Sequence, residues 1–209
     1  SATGVFLDMA QKEGYTVLGV DVSAYACQYA KEHFNVETKC GLLEELQLEE
    51  KQFDVITMYH NLEHLPEPVK TLENVSNILT NEGTLIIKGP NLNSFDRKWH
   101  GADWRGYQLP FHLYHFTPET YKMILEKSGF SVQNIFFQYW NPMAHLLEIT
   151  MGDGIRADHP PDAIADIRKK KIYNNFIFAI TAKMMRITAR VCGLKGRDLA
   201  IYARKRTTP

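Results

Sequence analysis

Residues 1–23, SATGVFLDMAQKEGYTVLGVDVS, contain the pattern that decides the fold. A turn of small residues that ends in Gly4 leads into an apolar helix pattern, Val5–Ala10, and then into an apolar strand pattern, Thr16–Val20, that ends in Asp21. This order is typical of the second half of a nucleotide-binding β-loop-α-β unit, in which the glycine turn binds a ligand and the carboxylate accepts hydrogen bonds from a ribose. A plain tight turn at Gly4 and a helix-capping role for Asp21 are the structural alternatives.

The composition is that of a globular α/β protein with no preference for a strongly charged partner. The chain has 209 residues, of which 44% are hydrophobic and 23% are charged, and its formal net charge is zero. A chain of this size buries a full core, and its balanced charge argues against a surface that coats nucleic acid. The three cysteines, Cys27, Cys40 and Cys192, are too few and too scattered for a disulfide framework or a zinc knuckle, so we expect a reducing, cytoplasmic setting.

Strand-like and helix-like stretches alternate along the chain as far as about Asn141. This rhythm predicts a mostly parallel sheet with helices on both faces and with ligands at the carboxyl ends of the strands. Thr117 suits the N-cap of a helix and Pro118 its first position. The further predicted strands are Glu37–Cys40, Phe53–Tyr59, Gly83–Lys88, Ser131–Tyr139 and Leu199–Ala203, and the further predicted helices are Ala24–His33, Pro66–Leu79 and the segment from Pro118 to Ser128.

Two irregular stretches interrupt this alternation. Asn91–Phe116 contains two of the three tryptophans and three of the eight histidines, and Pro142–Arg197 contains a long helical pattern at Ala163–Val191. Both lie where an insertion that covers a substrate is expected. Basic residues recur beside apolar ones at helical spacing within Ala163–Val191, which favours a lid helix; a homodimer contact and a peripheral membrane contact are the alternatives.

Several motifs together resemble one known family, the class I S-adenosylmethionine-dependent methyltransferases. They are SATG at residues 1–4, LGVDVS at 18–23, FDVITMYHNLEHLPEP at 53–68 and GTLIIKGPN at 83–91. Within that family, WRGYQLPFHLYHFTPETYKMILEKSGF at 104–130 is similar to a subgroup that methylates small molecules and cell-surface glycans. The resemblance implies a Rossmann-like methyltransferase fold and S-adenosylmethionine as the cofactor.

The resemblance also implies how the domain is divided. Residues 1–141 and 198–209 are expected to form the cofactor-binding core, and 142–197 a helical cap insertion. In this fold the first strand lies in the middle of the sheet, between the strands that end at Asp21 and Tyr59. A gap there would leave two rows of buried backbone groups without partners, so we expect the native protein to carry an upstream strand and the first half of the glycine loop.

Carried onto this sequence, the resemblance implies which residues contact the cofactor. The backbone of the first four residues would contact the methionine moiety, and Asp21, followed by Val22, would bind the ribose. Many relatives have an aspartate in place of Leu42 to bind the adenine amino group, which leaves that task here to backbone groups and apolar packing. The implied cofactor-binding residues are Ser1, Ala2, Thr3, Gly4, Asp21, Val22, Cys40, Gly41, Leu42, Tyr59, His60 and Asn61.

Three histidines are candidates for removing a proton from an acceptor hydroxyl. His64 follows the strand at Phe53–Tyr59, and His112 and His115 precede the helix that begins at Pro118. Imidazole suits general base catalysis near neutral pH. The structural alternative is that His112 and His115 only anchor the Trp-rich loop through hydrogen bonds.

A metal site is the sharper alternative for the same region, although an ordinary loop is the first expectation. Some small-RNA and quinone-ring O-methyltransferases resemble this chain here and bind a divalent metal through a Glu-x-x-Glu-His set. In this chain His60 replaces the first glutamate, beside Glu63, His64 and the later His112. Three imidazoles and one carboxylate suit Zn²⁺, Mn²⁺ or Fe²⁺ better than Mg²⁺.

The sequence thus predicts methyl transfer from S-adenosylmethionine to the oxygen of a sugar or another small polar acceptor. An NAD-linked oxidoreductase is disfavoured because the chain has no Tyr-x-x-x-Lys pair. A non-enzymatic interaction protein on a degenerate scaffold remains the third alternative. The aromatic segment Trp99–His115 is expected to form the acceptor wall, with Arg105 binding an acceptor carboxylate or phosphate; packing of its rings as core is the competing interpretation.

Overall fold

The computed structural model describes residues 2–138 and 195–206, which form helices and strands in alternating order. The helical cap expected at 142–197, including the pattern at 163–191, lies almost entirely outside the described residues. No helix in the described part of the chain has the length and apolar character needed to cross a membrane. The strands are β1 (Gly19–Asp21), β2 (Thr38–Cys40), β3 (Phe53–Tyr59), β4 (Leu79–Pro90), β5 (Phe130–Gln138) and β6 (Asp198–Lys205); the helices are α1 (Val5–Lys12), α2 (Ala24–Phe34), α3 (Pro68–Ile78), α4 (Phe95–His100) and α5 (Pro118–Lys127).

Four strands form a sheet in the order β3-β4-β6-β5. β3 and β4 are parallel, whereas β6 runs antiparallel to both β4 and β5. Side chains alternate between the two faces of a strand, and Leu85 and Ile87 of β4 and Leu199 and Ile201 of β6 are fully buried on this principle. The α/β class is therefore confirmed, and α3 and α5 contribute further apolar residues to the same core.

β1 and β2 form a separate parallel pair of only three residues each. No ladder joins β1 to β3 within residues 2–138 and 195–206, at the position where the sequence predicts a further strand. Helix α1 has no buried residue, and its Val5, Phe6 and Met9 are exposed. An aromatic contact connects α1 to the four-stranded sheet, because the ring of Phe6 in α1 lies edge-on to that of Tyr59 in β3, with centroids 5.4 Å apart.

The predicted helix ends are confirmed where a side chain caps them. The Thr117 hydroxyl accepts a hydrogen bond from Thr120 N at 3.2 Å, and Pro118 occupies the first helical position of α5. Ser23 caps α2 in the same way, through Ala26 N at 3.2 Å. The prediction was wrong for the start of β4, which begins at Leu79 and not at Gly83, because Leu79 is buried and pairs with β3.

Candidate cofactor and acceptor site

The predicted site residues gather at the carboxyl ends of the parallel strands. Asp21, Cys40 and Tyr59 are the last residues of β1, β2 and β3, and Pro90 is the last residue of β4. In open α/β sheets, ligands bind at this edge. Two regions can be distinguished: a cofactor-side region formed by the α1 turn and the ends of β1 and β2, and an acceptor-side pocket beside the ends of β3 and β4.

Asp21 is held as an ionised acceptor at the centre of the cofactor-side region. Its Oδ2 accepts a hydrogen bond from Ala2 N at 2.7 Å, and its Oδ1 accepts one from Ser23 N at 3.0 Å. Burial alone would raise the pKa of Asp21, but the hydrogen bonds from Ser23 N and Ala2 N, together with the positive charge of the N-terminal amino group, lower the pKa below the ordinary value of 3.8. A carboxylate at the end of this strand is the group that accepts ribose hydrogen bonds in nucleotide-binding α/β folds.

Position 4 requires glycine for two reasons, its positive φ and its close contact with α2. Its φ is +84°, and a Cβ at this position would lie 2.6 Å from Ala30 Cβ of α2. Ala2 also has a positive φ of 49°. The turn is therefore pressed against α2, so Gly4 has a packing role in addition to the predicted ligand role. Thr3 is exposed, and Ser1 lies outside the described residues.

The predicted adenine and sulfonium neighbours are largely open to solvent. Gly41 N donates a hydrogen bond to Asp21 O at 3.0 Å, which ties the end of β2 to that of β1. Burial and the nearby Tyr202 raise the pKa of Tyr59, which keeps this phenol neutral. Apolar surface at the end of a sheet is suited to flat ligands. The exposed predicted residues are Val22, Cys40, Leu42, Tyr59, His60 and Asn61.

His60 connects the end of β3 to two carboxylates. Its Nδ1 lies 3.4 Å from Oε1 of Glu63, and its Nε2 lies 4.0 Å from Oδ2 of Asp198. The backbone φ of His60 is +47°, a left-handed conformation that few residues other than glycine and asparagine adopt. Such strain is concentrated at functional sites, because the surrounding structure must enforce it.

Each of the three candidate catalytic histidines contacts a carbonyl of the loop at 101–117. The ring nitrogen to oxygen distances are 3.0 Å for His64 Nδ1 to Phe111, 2.8 Å for His112 Nδ1 to Gly106 and 3.0 Å for His115 Nε2 to Tyr107. These contacts agree with the alternative that His112 and His115 anchor the loop. Because a carbonyl only accepts, the contacting nitrogen carries the proton in a neutral ring, which leaves Nε2 of His64 and His112 as lone-pair acceptors.

Glu63 is a buried carboxylate beside these two histidines. Glu63 is only 1% exposed, and neither of its carboxylate oxygens has a hydrogen-bond partner within the described residues. One ligand atom from each of Glu63, His64 and His112 lies within 4.8 Å of the others. A buried carboxylate that accepts no hydrogen bond is costly, so a cation at this position, in addition to the His60 contact, would stabilise it. His60 contacts Glu63 but does not belong to this group of three.

Tyr121 is a neighbour of this cluster that the sequence analysis missed. Its hydroxyl is fully buried and has no hydrogen-bond partner within residues 2–138 and 195–206. Burial, with the negative charges of Glu63 and Asp198, raises its pKa far above the ordinary value of 10.0. Tyr121 was predicted only as part of a helix, and no local signal in the sequence distinguishes it from a core residue.

The acceptor-side pocket has a volume of about 340 Å³ and is lined mainly by polar groups. His60, His64 and His112 line it, whereas His115 does not. Arg197 and Asp198 also line the pocket and were not predicted from the sequence. Their position follows from the pairing of Pro90 with Asp198, because β6 runs antiparallel beside β4 and therefore begins at the carboxyl end of β4.

The aromatic segment contributes less to this pocket than predicted. Trp104 lines it through a small part of its surface but is only 2% exposed, and its Nε1 donates to Asp96 Oδ2 at 2.9 Å. Trp99, Tyr107 and Tyr114 do not line it, and Trp99 is 75% exposed. An acceptor wall of four rings is therefore not what the described residues form; the competing interpretation, core packing, describes Trp104.

Comparison with known proteins identifies the family. Residues 1–135 match the family model described as methyltransferase domain. Over 95 residues the chain is 30% identical to a ubiquinone biosynthesis O-methyltransferase from Coxiella burnetii; the match covers 43% of this chain and 41% of that protein's length, so the chain matches less than half of this curated relative.

Solved structures of other proteins share the fold of this chain. A SAM-dependent methyltransferase from Archaeoglobus fulgidus superposes with a TM-score of 0.62 at 24% identity, covering 98% of this chain and 82% of that one. The [4+2]-cyclase SpnF superposes with a TM-score of 0.63 at 18% identity, covering 99% and 73%. These similarities show the fold alone, and the family match over 135 residues shows the membership. The chain belongs to the class I methyltransferase domain family, whose members use S-adenosylmethionine as the cofactor.

Proposed function

We propose that this protein transfers a methyl group from S-adenosylmethionine to an oxygen atom of a small polar acceptor, a sugar or a related metabolite, in the cytoplasm. The observation that carries the proposal is the polar pocket at the ends of β3 and β4, beside the region predicted to bind the cofactor. Methyl transfer is an in-line displacement, so a site must align the acceptor oxygen with the methyl group and accept its proton.

The proposed division of roles follows from where the predicted residues lie. Asp21 binds the ribose, and the backbone around Gly4 the methionine moiety. His64 and His112 line the pocket with a basic Nε2, so one of them accepts the acceptor's proton. His115 lies outside the pocket lining and is assigned to loop anchoring.

The experiment is a titration with S-adenosylhomocysteine followed by transfer of labelled methyl groups to a panel of sugars and catechols. We expect binding, and label transfer that His64→Ala or His112→Ala abolishes while His115→Ala retains most of it. Binding without transfer to any acceptor would favour a reaction other than methylation on this fold, such as that of the cyclase relative. No binding would favour an interaction protein on a degenerate scaffold.

A metal-assisted O-methyltransferase is a second candidate, favoured by the buried Glu63 carboxylate, which accepts no hydrogen bond within the described residues. Glu63, His64 and His112 would hold the ion through one oxygen and two Nε2 atoms, because backbone carbonyls already accept from Nδ1 of both histidines. Zn²⁺, Mn²⁺ or Fe²⁺ fits this donor set. Such an ion lowers the pKa of a bound hydroxyl and so makes the acceptor a better nucleophile.

Metal content and thermal melting test this candidate without an activity assay. We expect about one equivalent of Zn²⁺ or Mn²⁺ to bind and to raise the melting temperature, and we expect Glu63→Gln to lose both effects. His115→Ala is the matched control, since His115 also anchors the loop but lies outside the cluster. An unchanged melting temperature for the wild type with every metal contradicts the candidate.

A further inference from the structure

We propose that the acceptor carries an anionic oxygen group, a carboxylate or a phosphate, which the guanidinium group of Arg197 binds in the acceptor-side pocket. This inference rests on the proposed function, because it names the substrate class of the same pocket.

The backbone around Arg197 is fixed to the loop after β4. Asn91, which is fully buried, donates from its backbone N to Arg197 O at 2.8 Å and from its Nδ2 to Gly196 O at 2.9 Å. Phe95 N donates to Lys195 O at 3.0 Å. Three hydrogen bonds therefore hold the segment before β6 in place, so Arg197 is presented to the pocket from a rigid backbone.

The side chain of Arg197 makes one long ion pair within the described residues. It is 30% exposed, and its Nε lies 3.9 Å from Asp96 Oδ2, an oxygen that also accepts the closer hydrogen bond from Trp104 Nε1. The contact is long and is made through Nε. The two terminal amino groups of the guanidinium, which form the planar fork that matches carboxylates and phosphates, have no partner within the described residues.

The charges on the pocket wall favour an anion. Arg105 supplies a second guanidinium group, and Asp198 is the one carboxylate among the lining residues of the described chain. Asp198 faces His60 Nε2 at 4.0 Å, and the buried Glu63 faces the other nitrogen of that ring. Both carboxylates are thus directed at His60, and within the described residues the partly buried Arg197 guanidinium is balanced only by its 3.9 Å contact with Asp96, so a bound anion would complete its pairing.

This arrangement also explains how an acceptor is oriented. A charged fork fixes one end of a small molecule in a defined plane, which leaves the hydroxyl end to meet the histidines of the same pocket. A volume of about 340 Å³ suits a single substituted ring. An anionic ring compound therefore fits better than a long neutral chain.

Binding of matched charged and neutral probes tests the proposal. Isothermal titration of the S-adenosylhomocysteine-loaded protein would compare 3,4-dihydroxybenzoate with its amide, glucuronate with its amide, and glucose 6-phosphate with glucose. We expect at least one anionic probe to bind tenfold more tightly than its neutral partner; the first two pairs report a carboxylate and the third a phosphate. Arg197→Met removes this preference, and Arg197→Lys, which keeps the charge but not the fork, retains part of it.

Arg204→Met is the matched control, because Arg204 is an exposed arginine near the far end of β6, the strand that Arg197 directly precedes. It should keep the preference, and all variants should keep wild-type affinity for S-adenosylhomocysteine. Equal affinity for charged and neutral probes in the wild type, or failure of all probes to bind, overturns the proposal, as does a preference that survives in Arg197→Met. Should Arg197→Met not fold, Arg197→Gln replaces it. If the wild type does not bind S-adenosylhomocysteine, the proposed function is overturned. The comparison of charged with neutral probes on the free protein then tests the role of Arg197 separately.

Discussion

The cofactor-side region and the four-stranded sheet differ in how they are held together. β1 and β2 share a ladder of three residues, and no side chain of α1 is fully buried. β4 and β6 pair over seven residues and share a core with α3 and α5. Burial of apolar surface provides most of the favourable free energy of folding. We infer that the sheet carries the stability of the described chain, whereas the cofactor-side region is ordered by few contacts and gains most from a bound ligand.

The largest effect is expected from a cavity created in each region in turn. Ile201→Ala in β6 should reduce the free energy of unfolding by about 2–5 kcal/mol, because Ile201 is fully buried in the core. Val36→Ala, beside Gly4, should cost about 1–2 kcal/mol, since it removes two carbon atoms where Ile201→Ala removes three and since its surroundings hold fewer apolar side chains. Denaturant unfolding measures both values. A loss for Val36→Ala as large as that for Ile201→Ala, despite the smaller truncation, would mean that the cofactor-side region contributes at least as much to stability as the sheet.

Gly4→Ala should disrupt the cofactor-side region alone. An alanine there is strained by about 1–2 kcal/mol at positive φ and also collides with Ala30 Cβ, so the turn must move. We expect affinity for S-adenosylhomocysteine to fall at least tenfold. Gly14→Ala is the control, because Gly14 has a φ of +90° but nothing within 4 Å of the added methyl. If both variants bind equally, contact with α2 is not what shapes the turn.

Asp21→Ala should weaken binding of S-adenosylhomocysteine by about 2 kcal/mol, the scale of hydrogen bonds to a charged group. The pKa of Asp21 is lower in the folded protein than its ordinary 3.8, so its contribution to stability is complete above about pH 4. That contribution is lost as the pH falls through the lower folded value. Calorimetry should therefore give constant affinity between pH 6 and 8. Asp8→Ala, which removes an exposed ion pair with Lys12, should leave affinity unchanged.

The smallest effect is expected for Glu119. Its own backbone N–H, Thr117 and Lys195 lower its pKa to about 2 from 4.5, so its stabilising contribution is present above pH 4.5 and lost as the pH falls toward 2. The group is highly exposed, and solvent screens the pair with Lys195 at 3.0 Å. Glu119→Gln should lower stability at pH 7 by less than about 0.5 kcal/mol. A larger loss in urea unfolding would mean that this pair fixes the segment before β6.

Local signals in the sequence predicted the helices and strands more accurately than they predicted the contacts between those elements. Phe53–Tyr59 and the start of α5 at Thr117-Pro118 were predicted at their observed bounds, since an apolar run and a capping pair act over a few residues. Burial of Trp104 was not predicted, because it depends on Asp96 and on packing within an irregular loop. Asp198 was not predicted at the pocket, because its place depends on β6 running antiparallel to β4.

The hydrogen bond from Asn91 Nδ2 to Gly196 O spans 105 positions of sequence. Closing so long a loop costs conformational entropy before any contact repays it, and contacts of this kind slow folding. The wall that contains Arg197 can therefore be assembled only after β6 has docked beside β4. We expect the acceptor-side pocket to be among the last parts of the molecule to form, which makes acceptor binding a sensitive report of complete folding.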